Sequence, residues 1–222
     1  MYHFGAHFNK GINILTHTYT FDLAGGVDIY YSLDYVLTAA NRWSNKQIDD
    51  FTLLIDMGNF EEFHLSKTFF KKNNEWKIIG MGKMKNSNDS MYFSRGYAST
   101  QFIIKEGLVM FQKMNFSPKN ELYLYSSNHL SFVEANQKFD YKEYLVPFSI
   151  EMTTVILKAK DETSLKILRN LPYARRGYIF KSPEIQKYYE SMEWYIPDPN
   201  YEAELNKLTV EEQEWLKKLA LE

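Results

Sequence analysis

The sequence predicts an α+β protein. An antiparallel β domain over residues 1–158, folded as a sandwich or partly open barrel, precedes a small helical domain over residues 159–222. Three observations predict this. Apolar stretches recur about every ten residues through the first part, separated by turn residues, as in a meandering antiparallel sheet. The aromatic fraction is 17%, with 17 Tyr and 16 Phe, which suits β-rich packing. Near Lys158-Ala159-Lys160-Asp161-Glu162 the apolar spacing changes from strand-like to helical, and the boundary falls there.

From the amino terminus, Ile12–Leu15 and Thr18–Phe21 read as strands before the Gly25-Gly26 turn. Val27–Val36 alternates loosely, Leu33–Ala40 offers a short helix instead, and Phe51–Ile55 reads as a buried strand ending at Gly58-Asn59. Phe63, Leu65 and Phe69 alternate with polar residues, Lys71-Lys72-Asn73-Asn74 turns, and Trp76–Ile79 returns, which predicts a hairpin. Met84–Ser90 is a polar loop. Strands follow at Tyr92–Ile104, Leu108–Met114, Glu121–Tyr125, Leu130–Val133 and Tyr144–Leu157. Their breaks are a Glu106-Gly107 turn, the Asn115–Asn120 loop with Pro118, and the Asn136–Asp140 loop.

The second part carries sharper local signals. Asp161, Glu162 and Thr163 supply capping oxygens and negative charge at a helix start, and Leu165, Ile167, Leu168 and Leu171 form its apolar stripe. Arg175 and Arg176 fall in its last turn and Gly177 is a left-handed stop. Pro172 lacks an amide donor, which predicts a kink or break near Leu171. Ser182, Pro183 and Glu184 open a second helix whose buried face is Ile185, Tyr188 and Tyr189. Trp194–Tyr201 is extended, because residues before Pro197 and Pro199 are pushed out of the α region. A final helix, Val210–Leu221, has a capping box of Thr209 and Glu212, and Trp215, Leu216 and Leu219 form its apolar face.

Residues of about 163–205 resemble the YARHG domain, a small bacterial domain presumed to be extracellular. The resemblance rests on Leu168-Arg169-Asn170, Tyr173-Ala174-Arg175, Gly177-Tyr178, Phe180, Lys187-Tyr188-Tyr189-Glu190-Ser191, Trp194-Tyr195 and the Pro-x-Pro-Asn run at Pro197–Asn200. The histidine of the family's name is Arg176 here. The family has no established activity; the resemblance implies an envelope or secreted setting and a wall-binding role. No signal peptide is visible in Met1–Thr18, so an extracellular setting implies a leader removed or mis-annotated, the alternative being the cytoplasm.

The hydrophobic fraction of 45% supports a sizeable core, and the net charge of −2 argues against nucleic acid. Absence of cysteine excludes disulfides, thiolate catalysis and cysteine zinc sites, and no apolar run approaches the roughly 20 residues that span a membrane. His3 and His7 stand four apart with His17 nearby, but without a zinc-protease glutamate, so no metal or other cofactor is expected. His64 and His129 are isolated. Gly80-Met81-Gly82 fails as a phosphate loop and reads as a bulge or a close strand contact. Asp49-Asp50 and Glu61-Glu62 point to opposite faces of a strand, so neither pair is an acid–base couple by itself.

The candidate ligand-binding residues are Arg175, Arg176, Tyr178, Tyr188, Trp194 and Tyr195: rings for stacking on sugars, guanidinium groups for carboxylates. The competing reading places Tyr173, Arg175, Gly177 and Trp194 in the core of a small domain, leaving Arg176 as the exposed one. The leading expectation is a non-enzymatic bacterial envelope or secreted protein that binds a cell-wall polymer or a protein partner. A hydrolase with a carboxylate or histidine site on the β domain, and a purely structural module, are the alternatives.

Overall fold

A computed structural model of the chain describes residues 5–25, 31–59, 61–87, 98–126, 161–192 and 194–219, without the side chains of residues 211, 215 and 218. The strands expected at 92–97, 130–133 and 144–157, the loop at 136–140, the boundary near residue 158, His3, His129 and the Trp215 side chain lie outside the described residues. Six strands form one antiparallel sheet: β1 (Tyr31–Tyr35), β2 (Ile48–Ile55), β3 (Glu61–Ser66), β4 (Trp76–Ser87), β5 (Ser99–Phe116) and β6 (Leu122–Ser126). Three helices follow: α1 (Glu162–Arg175), α2 (Pro183–Glu190) and α3 (Val210–Leu219). The architecture is α+β, with the sheet curled into a half-barrel.

The 18-residue strand β5 is its axis. β4 runs along one side of it from Trp76↔Phe111 to Ser87↔Ser99. The other side is shared: β2 pairs with Val109–Phe116, and β3 pairs with Ser99–Ile104. β6 lies beyond β3, and β1 beyond β6. The expected Phe63–Ile79 hairpin therefore does not form, because β5 inserts between β3 and β4. The turn chemistry is real: a 3-10 turn at Asn73–Glu75 has Glu75 Oε2 accepting from the amides of Lys71 (2.7 Å) and Lys72 (2.9 Å). The partner of each arm, however, comes from later in the chain. β2 reaches only half-burial at alternate positions because it is an edge strand. Residues 5–25 form no strand; Ala24 makes an isolated bridge to Ser32 and the stretch is exposed.

Glu106-Gly107 is not a turn. Gly80 and Gly107 face each other across β4 and β5 with φ of 121° and 104°, and a Cβ on either would meet the other strand's backbone. Two absent side chains thus let the ribbon bend while its ladder continues. The β2–β3 interruption, with Gly58 at φ 91°, lies opposite the same line. Beside the bend is a bulge: Met81 pairs with Glu106 and Gly82 with Ile104, so Lys105 is the extra residue. Phe102 and Ile104 sit at even positions, Val109 and Phe111 at odd ones, yet all four belong to one core. Only an added residue between them keeps both sets on the same face. Gly80-Met81-Gly82 is accordingly a bulge and close-contact site.

That core lines the inner face. Trp76, about 1% exposed, packs against Phe70, Phe102 and Phe111 at ring separations of 5.3–5.8 Å. Phe63 stacks on Phe102 at 5.3 Å, and Leu65, Leu122 and Leu124 extend the cluster. One carboxylate is sealed in with it. Burial pushes Glu61 up to about 7, the hydrogen bond from Tyr31 (3.3 Å) acting the other way.

The helices form a second core of Ile167, Leu171, Ala174, Phe180, Ile185, Tyr189, Met192, Trp194, Tyr195 and Ile196, to which the sheet adds Ile103 and Met81. α1 starts where Asp161 caps the Ser164 amide (2.7 Å). It runs through Pro172 without a break, because Pro172 is buried with Leu168 and Leu171 in the last turns and this packing offsets one missing amide. It stops in a Schellman turn: Gly177, at φ 87°, donates to Ala174 O (2.9 Å), and Tyr178 donates to Tyr173 O (3.0 Å).

Candidate functional site

The helical unit is tied down by ions as well as rings. Glu212, expected only as half of a capping box, accepts from the Thr209 amide (2.8 Å), and its own amide donates to Thr209 Oγ1 (3.2 Å). It also accepts from Arg176 Nη1 (2.9 Å) and Nη2 (2.8 Å), and from Arg175 Nη1 (3.5 Å), while 1% exposed. Burial alone would raise this carboxyl. The Arg176 hydrogen bonds, the Thr209 amide and the two guanidinium charges outweigh it and hold the group below the usual carboxylate range. Farther along the same pair of helices, Arg169 donates to Leu219 O (3.0 Å). Both ends of α3 are thus gripped by arginines: Arg169 and Arg175 of α1, and Arg176 at its C-cap.

Arg176 is the node of this network. Its side chain forks onto Glu212, and its carbonyl accepts from Lys105 Nζ (2.8 Å), which also pairs with Asp198 (3.2 Å). The residue extruded by the β5 bulge therefore reaches across to the turn after α1. There the Asp198 amide donates to Gly177 O (2.8 Å), and a Cβ on Gly177 would lie 2.5 Å from Ile196 O.

The residues singled out in the sequence divide accordingly. Arg175 and Arg176 come together on Glu212, and Arg176, expected on the surface, is 27% exposed at its side chain. Trp194 and Tyr195 are 4% and 0% exposed, and Tyr195 OH donates to Tyr178 O (2.8 Å). Tyr178 and Tyr188 are half-buried, packing against the helical core. The space left among Ile167, Leu171, Tyr189 and Trp194 is about 10 Å³, no more than a single water needs.

A larger opening lies on the sheet side of the seam. A cleft of about 320 Å³ is lined by Lys83, Met84 and Lys85 of β4 and by Gln101 and Ile103 of β5. Register explains the lining: Lys83 pairs with Ile103, and Lys85 with Gln101, so all four side chains share the outer face. Ile103 belongs to the helical core, and Lys83 Nζ lies 5.9 Å from the ring centre of Tyr195, a cation–π contact. One strand farther in, the face stays polar while buried. Gln101 donates to Glu62, His64 stacks on Tyr125 at 4.8 Å, and Ser99 and Tyr125 share a hydrogen bond of 3.3 Å.

The sequence model of the YARHG domain matches residues 143–220. The chain carries a YARHG domain. No curated protein matches the chain. A solved structure from Legionella pneumophila, of a protein described as a candidate nutrient-binding protein, is similar at 19% identity over 86% of this chain and 52% of that one. This chain spans about half of that protein's length, and at a TM-score of 0.33 the likeness carries no argument.

The YARHG domain's signature is thus built into its core and its ionic clamp, and the cleft beside it belongs to the sheet. Sequence reasoning missed Lys83, Lys85 and Gln101; the alternation of Lys83 and Lys85 on one strand was the available signal. Glu62 and His64 are 4.0 Å apart, outside the roughly 2.6–3.2 Å reach of proton transfer, and are 12% and 4% exposed at their side chains. Among the described residues no group of three His, Cys, Asp or Glu is placed to hold a metal, and no helix is long and apolar enough to cross a membrane.

Proposed function

We propose that the protein is a non-enzymatic bacterial envelope or secreted protein that binds a cell-wall polymer, with the cleft at the seam between sheet and YARHG domain as its ligand site. One observation carries the reading: the 320 Å³ cleft mixes cationic, amide and apolar lining and borders the domain's Tyr195. Its volume falls at the lower end of small-ligand sites, which suits one residue or one terminal group of a polymer. The signature rings and arginines act from behind it, fixing the wall of the cleft rather than touching the ligand.

Co-sedimentation of the full chain with purified peptidoglycan tests the reading. Pelleting with peptidoglycan but not with an insoluble neutral glucan is the expected result. A chain that stays in the supernatant with both removes the wall-binding reading.

A further inference from the structure

We infer that the cleft selects an anionic group, a carboxylate or a phosphate, carried on a small and partly apolar portion of its ligand. The inference rests on the binding role proposed above and adds the chemistry of what is bound. Lys83 and Lys85 are two residues apart on β4 and therefore project from the same face, across from Ile103 and Gln101. Two ammonium groups line one cleft in a chain of net charge −2, and a charged acceptor makes the stronger hydrogen bond to an ammonium. An ammonium has three donors, so each lysine can meet a ligand oxygen while keeping its contacts within the chain.

The rest of the lining narrows the ligand further. The Gln101 amide nitrogen donates to Glu62, so its carbonyl oxygen remains to accept from a hydroxyl or an amide N–H. Ile103 offers an apolar floor, continuous with the helical core, for a methyl or methylene group. A neutral sugar offers neither lysine an ion pair. An anion next to a donor and an aliphatic carbon engages Lys83, Lys85, Gln101 and Ile103. Peptide stems of peptidoglycan supply this as carboxylates, and phosphodiester wall polymers supply it as phosphates.

The test compares wild type with the Lys83→Gln/Lys85→Gln double variant and with Lys77→Gln, an exposed lysine of the same strand outside the cleft. Each is titrated with three wall preparations: untreated, carbodiimide-amidated to neutralise carboxylates, and acid-stripped of phosphodiester polymers. The expected result is a loss of about tenfold or more for the double variant and none for Lys77→Gln. A matching loss for wild type should appear on either the amidated or the stripped wall, which identifies the source of the anion. Binding that withstands both treatments and both substitutions overturns the inference while leaving the wall-binding role intact. No binding to untreated wall overturns that role and the inference with it. Should the double variant misfold, seen as a lowered thermal midpoint, the treated walls still decide the matter with wild-type protein.

Discussion

Glu212 offers the most direct measurement of what holds the YARHG domain together. Its carboxylate is 1% exposed and accepts from Arg176 twice, at 2.9 and 2.8 Å, from Arg175 and from the Thr209 amide. Replacing it by alanine leaves the buried Arg175 and the half-buried Arg176 without their anion and strips the first turn of α3 of its cap. Removing one partner of a buried pair costs about 3–5 kcal/mol, against a total of about 5–15 kcal/mol for an ordinary domain. Glu212→Gln keeps the size and an acceptor for Thr209 but loses the charge, and should cost about 2–3 kcal/mol. Urea denaturation at pH 7, followed by tryptophan fluorescence and far-ultraviolet dichroism, reads both. An Arg176→Met/Glu212→Leu double variant should lose less than the two single changes summed, since it removes both partners of the closest ion pair and leaves only the longer Arg175 contact broken. Losses under about 1 kcal/mol for Glu212→Gln would show that the pair is solvated, and the clamp would have to be abandoned as a source of stability. The pH dependence has a definite sign. The folded-state pKa is lowered, so the contribution is present above the unfolded value of 4.5 and is lost as pH falls through the lower folded value.

Glu61 should behave in the opposite sense. Its folded value is raised from 4.5 to about 7, so stability present below the unfolded value is lost as pH rises through 7. Glu61→Gln should therefore gain up to about 3 kcal/mol over wild type at pH 8 and almost nothing at pH 4; urea midpoints whose difference is flat across that range refute it. Gly177→Ala should lose about 1–3 kcal/mol from backbone strain alone, and more from its approach to Ile196 O; an unchanged thermal midpoint contradicts the Schellman turn. Gly107→Ala should destabilise by at least as much, because its Cβ meets the Ile79 carbonyl across the ladder, and hydrogen exchange should rise first at the amides bordering the bend.

What was legible in the sequence was local. The start of α1 at Asp161, its glycine stop, Pro183 at the head of α2 and the Thr209–Glu212 box all depend on residues within a turn or two of one another, and each formed as read. The β part was legible as a class, not as a pairing. Asn73–Glu75 does turn the chain, yet β5, more than twenty residues on, takes the place beside each arm. Glu106-Gly107 looked like a turn because glycine marks turns far more often than paired bends. The contrary signal was the parity change between Ile104 and Val109, which a turn does not require and a bulge does. The ligand reading of Arg175 and Arg176 assumed an external carboxylate; the one they hold lies 36 residues beyond Arg176 in the same chain, a separation at which no spacing rule operates. The cleft was hidden for the same reason, since Lys83 and Gln101 become neighbours only through the β4–β5 register.

Lys105 has one more consequence, and it concerns chain length rather than chemistry. As the extra residue of β5, it is what allows Phe102 and Ile104 to face the same way as Val109 and Phe111. Exchanging its side chain disturbs the hydrogen bonds to Arg176 O and Asp198 but leaves the count of residues intact. Deleting the residue would turn one half of the strand over, sending its aromatic and aliphatic side chains outward and its polar face into the core. The reading frame of the pleat is counted from this single position, so a loss of one codon here is a lesion that no local repacking can absorb, although every neighbouring residue would be retained.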